Sequence, residues 1–313
     1  MEMRQLETFI SVARHLNFSR AAEEINLSQP TISTHINALE IYLGVQLLVR
    51  STKEVSLSKA GKDFLGFAQQ ILTVRDQALR DVRGEDFNAR GSIDIISSTI
   101  PAQHLLPEII ASFHKQRPNI VFRIEQTDSR QVEQGMSGFR YDFGFVGTVP
   151  DSNRFIHYPI CGDELVLIIP NDTAQSPESI RDGFSDYIRS VPFIMRESGS
   201  GTRTEIETIF SKVGVELNEM RISSYLPGTH SILMAVSKGM GVSLISKVAA
   251  DLYADAGLLK VVEMNSPLFR RQMYILYNKE LCLSPLQQIF CDHVRNFFKN
   301  GGAERECVPG YAE

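Results

Sequence analysis

The chain has 313 residues, 43% of them hydrophobic, with a formal net charge of −5. That is length for about two domains and enough apolar matter for sizeable cores, which excludes a mostly disordered chain. Met1 to Gln5 carry no signal-peptide pattern and no apolar run nears the ~18 residues of a membrane span, so the cytosol is the expected compartment. The acidic balance by itself argues against a nucleic-acid binder. Residues 1–90 nevertheless hold eleven Lys/Arg against eleven Asp/Glu, so the whole deficit lies beyond them.

In chain order, residues 4–16 place Leu6, Phe9, Ile10, Ala13 and Leu16 on one stripe at helical spacing. Ser19 is the expected N-cap of a short second helix that ends near Ile25, and Asn26-Leu27 turns the chain. Ser28 then caps a third helix with Pro30 in its first turn and Gly44 as terminator. Ile32, Ile36, Leu39 and Leu43 point inward. Thr31, Ser33, Thr34 and Asn37 point elsewhere, with His35 at the edge. Short hydroxyls and amides on a helix that follows a small helix across a tight turn suit a DNA groove. Two strand-like runs, Gln46–Arg50 and Glu54–Leu57, predict a hairpin with Arg50 and Lys53 near its tip, placed for phosphates. Spacing alone leaves open a three-helix bundle that binds a protein.

The stretch FSRAAEEINLSQPTISTHINALEIYLGVQLLVRSTKEVSLSKAG, residues 18–61, resembles the DNA-binding region of LysR-type transcriptional regulators. The paired alanines, the SQP, the S-x-x-I-x-x-L-E of Ser33, Ile36, Leu39 and Glu40, the L-G and the closing L-S-x-A-G keep register throughout. The resemblance implies major-groove contacts from Gln29, Pro30, Thr31, Ser33 and Thr34, with Arg50 on the backbone. Ser19, Arg20, His35, Asn37 and Lys53 complete the expected DNA-facing set. The chain departs from the family at Thr34, Asn37 and Ala38, where basic residues are common, and at Leu48, where an aromatic is. Fewer positive charges imply a shallower salt dependence.

Ser58 caps a predicted long helix over 59–83. One near-heptad stripe runs Phe64, Ala68, Ile71, Arg75, Ala78, Val82, and a second runs Gly61, Leu65, Ala68, Leu72, Leu79, Val82. The resemblance implies dimerisation through this helix; the competing reading packs the stripe on the chain's own wing or sensor domain, and part of it is expected to do so. Residues 84–90 are polar and contain glycine, and are the expected hinge.

From Gly91 strands alternate with helices, the pattern of an α/β domain with a parallel sheet. Expected strands are 93–96, 121–126, 143–146, 165–169, 193–195, 221–224, 242–245 and 272–277. Expected helices are 103–116, 129–137, 202–213, 229–238, 247–254 and 284–298. The whole is therefore a multidomain fold: a winged helix-turn-helix over 1–58, a linker helix and hinge over 59–90, a sensor over 91–300 and a tail over 301–313. The resemblance implies a periplasmic-binding-protein-like sensor of two Rossmann-like lobes, 91–162 with 268–300 and 163–267, around a cleft.

Ligands gather at the C-terminal ends of strands in such sheets. Ser97-Ser98-Thr99 ends one strand before a helix, and R-E-S-G-S-G-T-R, Arg196–Arg203, ends another. Hydroxyls and free N–H groups there favour an anion, with Ser198, Gly199, Ser200, Gly201, Thr202 and Arg203 as the candidate set. Thr148 and Thr229 join them, with Thr127-Asp128-Ser129 as a weaker candidate. Ordinary helix capping explains any one of these loops equally well. The SSTIPAQHLLP and RESGSGTR stretches are similar to a branch of the family linked to sulfur or selenium metabolism, which points to a small oxyanion or an amino-acid-like carboxylate.

Cys161, Cys282, Cys291 and Cys307 lack metal-ligand spacing, and the seven histidines form no H-E-x-x-H. G-x-S-x-G and an opening G-x-G-x-x-G are both missing. Neither an enzyme nor a cofactor is expected. The expected partners are double-stranded DNA, a small effector, a second copy assembling from dimer to tetramer, and RNA polymerase, with no membrane. The competing reading is a solute-binding module with a protein-interaction head and no DNA role.

Overall fold

The computed structural model describes residues 1–50, 55–83, 91–137, 140–149, 153–281 and 283–298. Lys53, the hinge 84–90, the tail 301–313, Cys282 and Cys307 lie outside them, as does the side chain of Arg50.

The head opens with α1 (Met3–His15), α2 (Phe18–Glu24) and α3 (Gln29–Leu43). Asn17, not Ser19, caps α2: its Oδ1 accepts from the N–H groups of Ser19 at 2.9 Å and Arg20 at 3.1 Å. Asparagine is an equally strong cap, and it stands nearer the end of α1. Leu16 leaves the expected stripe because it terminates α1 in the left-handed region, φ 48°, with its side chain in solvent. Ser28 caps α3 and Gly44 ends it at φ 72°, as expected. Leu6, Phe9, Ile32, Ile36 and Leu39 are fully buried together. Strands β1 (Leu48–Arg50) and β2 (Val55–Leu57) pair antiparallel. Helix α4 (Lys59–Arg83) adds Leu65 and Ala68 to this core. Its Arg75 turns to α1, 2.8 Å from Glu7, while Phe67 and Val74, seven residues apart, stay 61% and 59% exposed.

The receptor part is built on a seven-stranded sheet. Strands β4 (Ile120–Thr127), β3 (Gly91–Ser98) and β5 (Phe143–Val146) run parallel. The next strand, β11 (Arg270–Asn278), is antiparallel to β5 and to β6 (Phe155–Pro170). The sheet is therefore mixed, where the strand–helix alternation predicts a parallel one. The two strands that join the lobes run in opposite directions because one leaves lobe I and the other returns to it. The expected strand at 165–169 is only the second half of β6. From Phe155 to Glu164 β6 pairs with β11, and from Leu165 it pairs with β9 (Ser243–Ser246) and β10 (Leu259–Val262). Lobe II is completed by parallel strands β7 (Phe193–Arg196) and β8 (Ile222–Leu226), bridged to the β9 edge through Phe193 and Val242.

Helices α5 (Leu106–Gln116), α6 (Ser129–Ser137) and α12 (Pro285–Phe297) cover lobe I. Phe113, Phe143 and Phe290 meet there, with ring centroids 5.3 and 5.5 Å from Phe290. Lobe II carries α7 (Pro177–Asp182), α8 (Phe184–Ser190), α9 (Gly201–Lys212), α10 (Thr229–Ser237) and α11 (Lys247–Asp255). The helix expected at 103–116 splits into a π-turn, Pro101–Leu105, followed by α5. Pro107 has no N–H for the carbonyl of Gln103, so the α-register cannot run through. The periodicity did not predict α7, α8 or β10.

Asp142, largely buried at the foot of the sheet, accepts from the Asp94 N–H at 2.8 Å and from Gln287 Nε2 at 2.6 Å. Burial pushes its carboxyl up to about 6. Between pH 4 and 6 the folded chain therefore holds a proton that the unfolded chain has lost, and this site's contribution falls as pH rises towards 7. Asp142→Asn is expected to remove about 1 kcal/mol of the stability difference between pH 5 and pH 7, read from thermal unfolding at both. An unchanged difference would refute the assignment.

Candidate functional sites on the third helix and between the lobes

On the head, Gln29, Pro30, Thr34 and Asn37 are exposed and Thr31 and Ser33 half-buried, opposite the buried Ile32, Ile36 and Leu39. The Thr34 hydroxyl donates to the Pro30 carbonyl at 3.0 Å, and Ser28 and Thr31 share a hydrogen bond of 2.8 Å. These local bonds hold the hydroxyls against the first turn. Ser19 and Arg20 are exposed at the start of α2. His35 is the exception in the expected set. Its Nδ1 lies 2.9 Å from Thr8 Oγ1, whose own proton goes to the Arg4 carbonyl at 2.7 Å. The ring therefore donates from Nδ1 and ties α3 to α1. Glu40, the second residue of the L-E pair, accepts from the N–H groups of Leu47 at 2.8 Å and Leu48 at 3.0 Å. It orients the first strand of the wing relative to α3, a structural role the motif alone did not disclose.

Between the lobes lies a narrow cleft, nearly closed, with a cavity volume of about 20 Å³. Lobe I contributes Ser98 and Thr99 at the end of β3 and Asp128 and Ser129 at the start of α6; lobe II contributes Arg196, the last residue of β7, and Ser200 to Thr202 at the start of α9. Arg271 and Met273 of β11 line it from the crossing strands. The two lobes touch here. A Cβ on Gly201 would stand 2.7 Å from Ser129 Oγ, and one on Gly199, at φ +91°, 2.9 Å from Asp128 Oδ2. Only glycine lets the loop close so far.

Ser200 caps α9, and Thr202 accepts from Arg271 Nη1 at 3.1 Å. The side chains of Arg271 and Asp163 are 5% and 2% exposed. Arg271 Nε donates to Asp163 Oδ2 at 2.8 Å, and Ser246 Oγ donates to Asp163 Oδ1 at 2.7 Å. The bond set thus joins β11, β6, β9 and α9 at the point where the chain crosses between lobes. Arg271 Nη2 lies 2.7 Å from the same carboxylate oxygen, so Nε and Nη2 together close a buried ion pair with Asp163. Arg196 is fully bracketed: Nε and Nη2 each donate to Glu197 at 2.7 Å, and Nη1 donates to Thr229 at 3.3 Å. Burial works against the ionised Glu197, but the Arg196 guanidinium outweighs it and holds the carboxyl below its ordinary range.

Several expected cleft residues sit elsewhere. Ser97 is fully buried and donates to the Ser98 carbonyl, because strand alternation turns it away from the neighbours that line the cleft. Ser198 is exposed outside the cleft, Gly199 packs on Asp128, and Thr148 only lays its methyl by Gly201. Thr229 acts through Arg196. Arg203 does not supply the charge: it pairs with Glu207 four residues on, at 2.7 Å, and lies over the Tyr225 ring. The cations are instead Arg196, named only as the start of its loop, and Arg271, which the sequence reading passed over.

A three-helix head with an outward polar helix, joined by a long helix to two α/β lobes around a polar cleft, defines an effector-gated DNA-binding protein. Residues 3–62 match the family model described as bacterial regulatory helix-turn-helix protein, lysR family, and residues 88–299 match the LysR substrate binding domain. The chain belongs to the LysR family of transcriptional regulators. It is 32% identical over 274 residues to an HTH-type transcriptional regulator of Methanocaldococcus jannaschii, covering 87% of this chain and 91% of that one. A full-length OxyR variant of Pseudomonas aeruginosa superposes with a TM-score of 0.73 at 19% identity, covering 94% and 95% of the two chains. The regulatory domain of Synechocystis CcmR in complex with 2-PG gives a TM-score of 0.60 at 23% identity, covering 67% of this chain and 99% of that one. Among the described residues no helix is long and apolar enough to cross a membrane.

Proposed function

We propose that residues 1–58 grip DNA through Gln29, Pro30, Thr31, Ser33, Thr34 and Asn37 in the major groove, with Ser19, Arg20, Arg50 and Lys53 on phosphates. Residues 59–90 connect this head to a receptor over 91–300 that takes a small anionic effector in its cleft. The outward polar side of α3, opposite three fully buried side chains, carries the DNA reading. The cleft reading is supported by two buried guanidiniums beside the start of α9, where helix N–H groups favour negative charge. CcmR, similar in fold, was solved with 2-PG in the matching domain, which fits that class of ligand. Small sulfur or selenium oxyanions and small carboxylates are the first ligands to test.

The exposed Phe67 and Val74 stripe of α4 offers a dimer seam, and two dimers then bring four heads to DNA with RNA polymerase beside them. Effector binding favours one cleft geometry and resets head spacing by population shift. In this reading the chain is a cytoplasmic binding protein with no reaction of its own. Gel shifts on the gene's own upstream DNA test it. Thr34→Glu is expected to weaken binding about 10- to 100-fold by setting a carboxylate against the groove. Thr202→Ala is expected to keep DNA affinity and lose the effector response. If Thr34→Glu bound as tightly as the parent, α3 would not be the reading helix.

A further inference from the structure

We propose that His35 is a phosphate contact of the head, its Nε2 taking up a proton and donating to the DNA backbone as α3 seats in the groove. This rests on the reading of α3 as the DNA-facing helix and adds to it. Charge is the first ground. Helix α3 runs Q-P-T-I-S-T-H-I-N-A-L-E-I-Y-L and contains no lysine or arginine. His35 is the one side chain on it that can become cationic. A helix lying in the major groove has phosphates on both flanks, and its lateral side chains are the ones that meet them. His35 stands on such a flank. Helical spacing places it between the buried face of Ile32, Ile36 and Leu39 and the outward Thr34, and it is half-buried there.

Hydrogen bonding is the second. Thr8 is fully buried and its hydroxyl proton goes to the Arg4 carbonyl, so its oxygen can only accept from His35 Nδ1. That fixes the neutral ring with its proton on Nδ1 and a lone pair on Nε2. Nε2 is open to water and has no partner among the described residues. A lone pair repels a phosphate oxygen, whereas a proton there makes a charge-assisted bond to it. An imidazolium donates from both nitrogens, so the ring gains its charge without letting go of α1. The ionisable groups around it leave it that part. On α1, Arg4 pairs with Glu7, and Arg14 and His15 lie against Glu24 of α2 at 2.6 and 3.3 Å. Arg20 and Glu23 of α2 are exposed, as is Tyr42 near the end of α3, while Glu40 holds the wing. Among the described residues none of these pairs with His35.

The test is binding of the full-length chain, by fluorescence anisotropy, to the gene's own upstream DNA and to a duplex of unrelated sequence at pH 6, 7 and 8 and fixed ionic strength. Affinity is expected to fall about fivefold per bound head from pH 6 to pH 8 on both duplexes, the effect of moving an imidazole's titration up by about one pH unit. His35→Gln keeps a neutral donor for Thr8 and takes no proton. It is expected to flatten the pH dependence and to lower the salt slope at pH 6 by about one per head. Calorimetry of the parent in two buffers of different ionisation enthalpy counts the protons without any variant, and about half a proton per head is expected to be taken up near pH 7. Binding without proton uptake overturns the inference and leaves α3 as the reading helix. Uptake that persists in His35→Gln belongs to another group and overturns it as well. A pH dependence confined to the upstream DNA marks a base contact and overturns the phosphate role. Failure to bind either duplex at every pH overturns the reading of α3 and this inference with it.

Discussion

Gly61→Ala is expected to unfold the head selectively and abolish specific DNA binding while the receptor stays folded. Gly61 lies in the first turn of α4, where a Cβ would stand 2.0 Å from the Leu47 carbonyl oxygen and 2.9 Å from its carbon. The obstacle is backbone, so no rotamer change relieves it. Helix α4 would have to lift away from β1, withdrawing the buried Leu65 and Ala68 from the core they share with Phe9 and Ile36. Forced overpacking costs about 1–3 kcal/mol where side chains can yield, and a backbone clash belongs at or above the top of that range. A head of this size loses about 4–8 °C of Tm per kcal/mol. Its core holds no residue of either lobe, so calorimetry should show an early transition lowered by more than about 10 °C and a receptor transition unmoved. An unshifted early transition would mean that α4 does not seat on Leu47.

The head was legible because most of what builds it is local. Caps, the Pro30 position, the Gly44 terminator and the inward face of α3 follow from neighbours within four residues, whereas the Asn17 cap, the outward Leu16 and the bond of His35 to Thr8 did not. The receptor was legible in its units and not in their joining. Nothing within residues 155–164 shows that they pair with 270–278, so β6 appeared as half a strand. The hydroxyl-rich loops of the cleft stood out because serine, threonine and glycine cluster after strands. Asp163 and Arg271 did not, since they are 108 residues apart and look like stray charges in two strands. Arg203 misled for the opposite reason. It sits in a loop that suits an anion, but Glu207 one helical turn on was already there to take its charge.

Asp163 offers the second large effect, and it bears on how a ligand in the cleft can move the lobes. Asp163→Ala leaves the Arg271 guanidinium buried without its counter-charge and Ser246 without its acceptor. Removing one partner of a buried ion pair costs about 3–5 kcal/mol, so the receptor transition should fall while the head transition stays. The double variant Asp163→Ala with Arg271→Met removes the stranded charge as well. Such pairs are often replaced by apolar residues at little net cost, and stability should return to within about 1 kcal/mol of the parent. The positive coupling between the two substitutions, measured by chemical denaturation, is the signature of the pair. The double variant would then be a folded regulator that binds DNA and no longer answers to any anion. That separation follows from where the pair sits: β6 and β11 are the strands that join the lobes, and Arg271 reaches from one of them to Thr202 at the start of α9. An anion drawn to Arg271 competes with Asp163 for the same guanidinium and so acts on the hinge directly. Additive destabilisation in the double variant would show that Asp163 and Arg271 are not coupled and would remove this route from cleft to head.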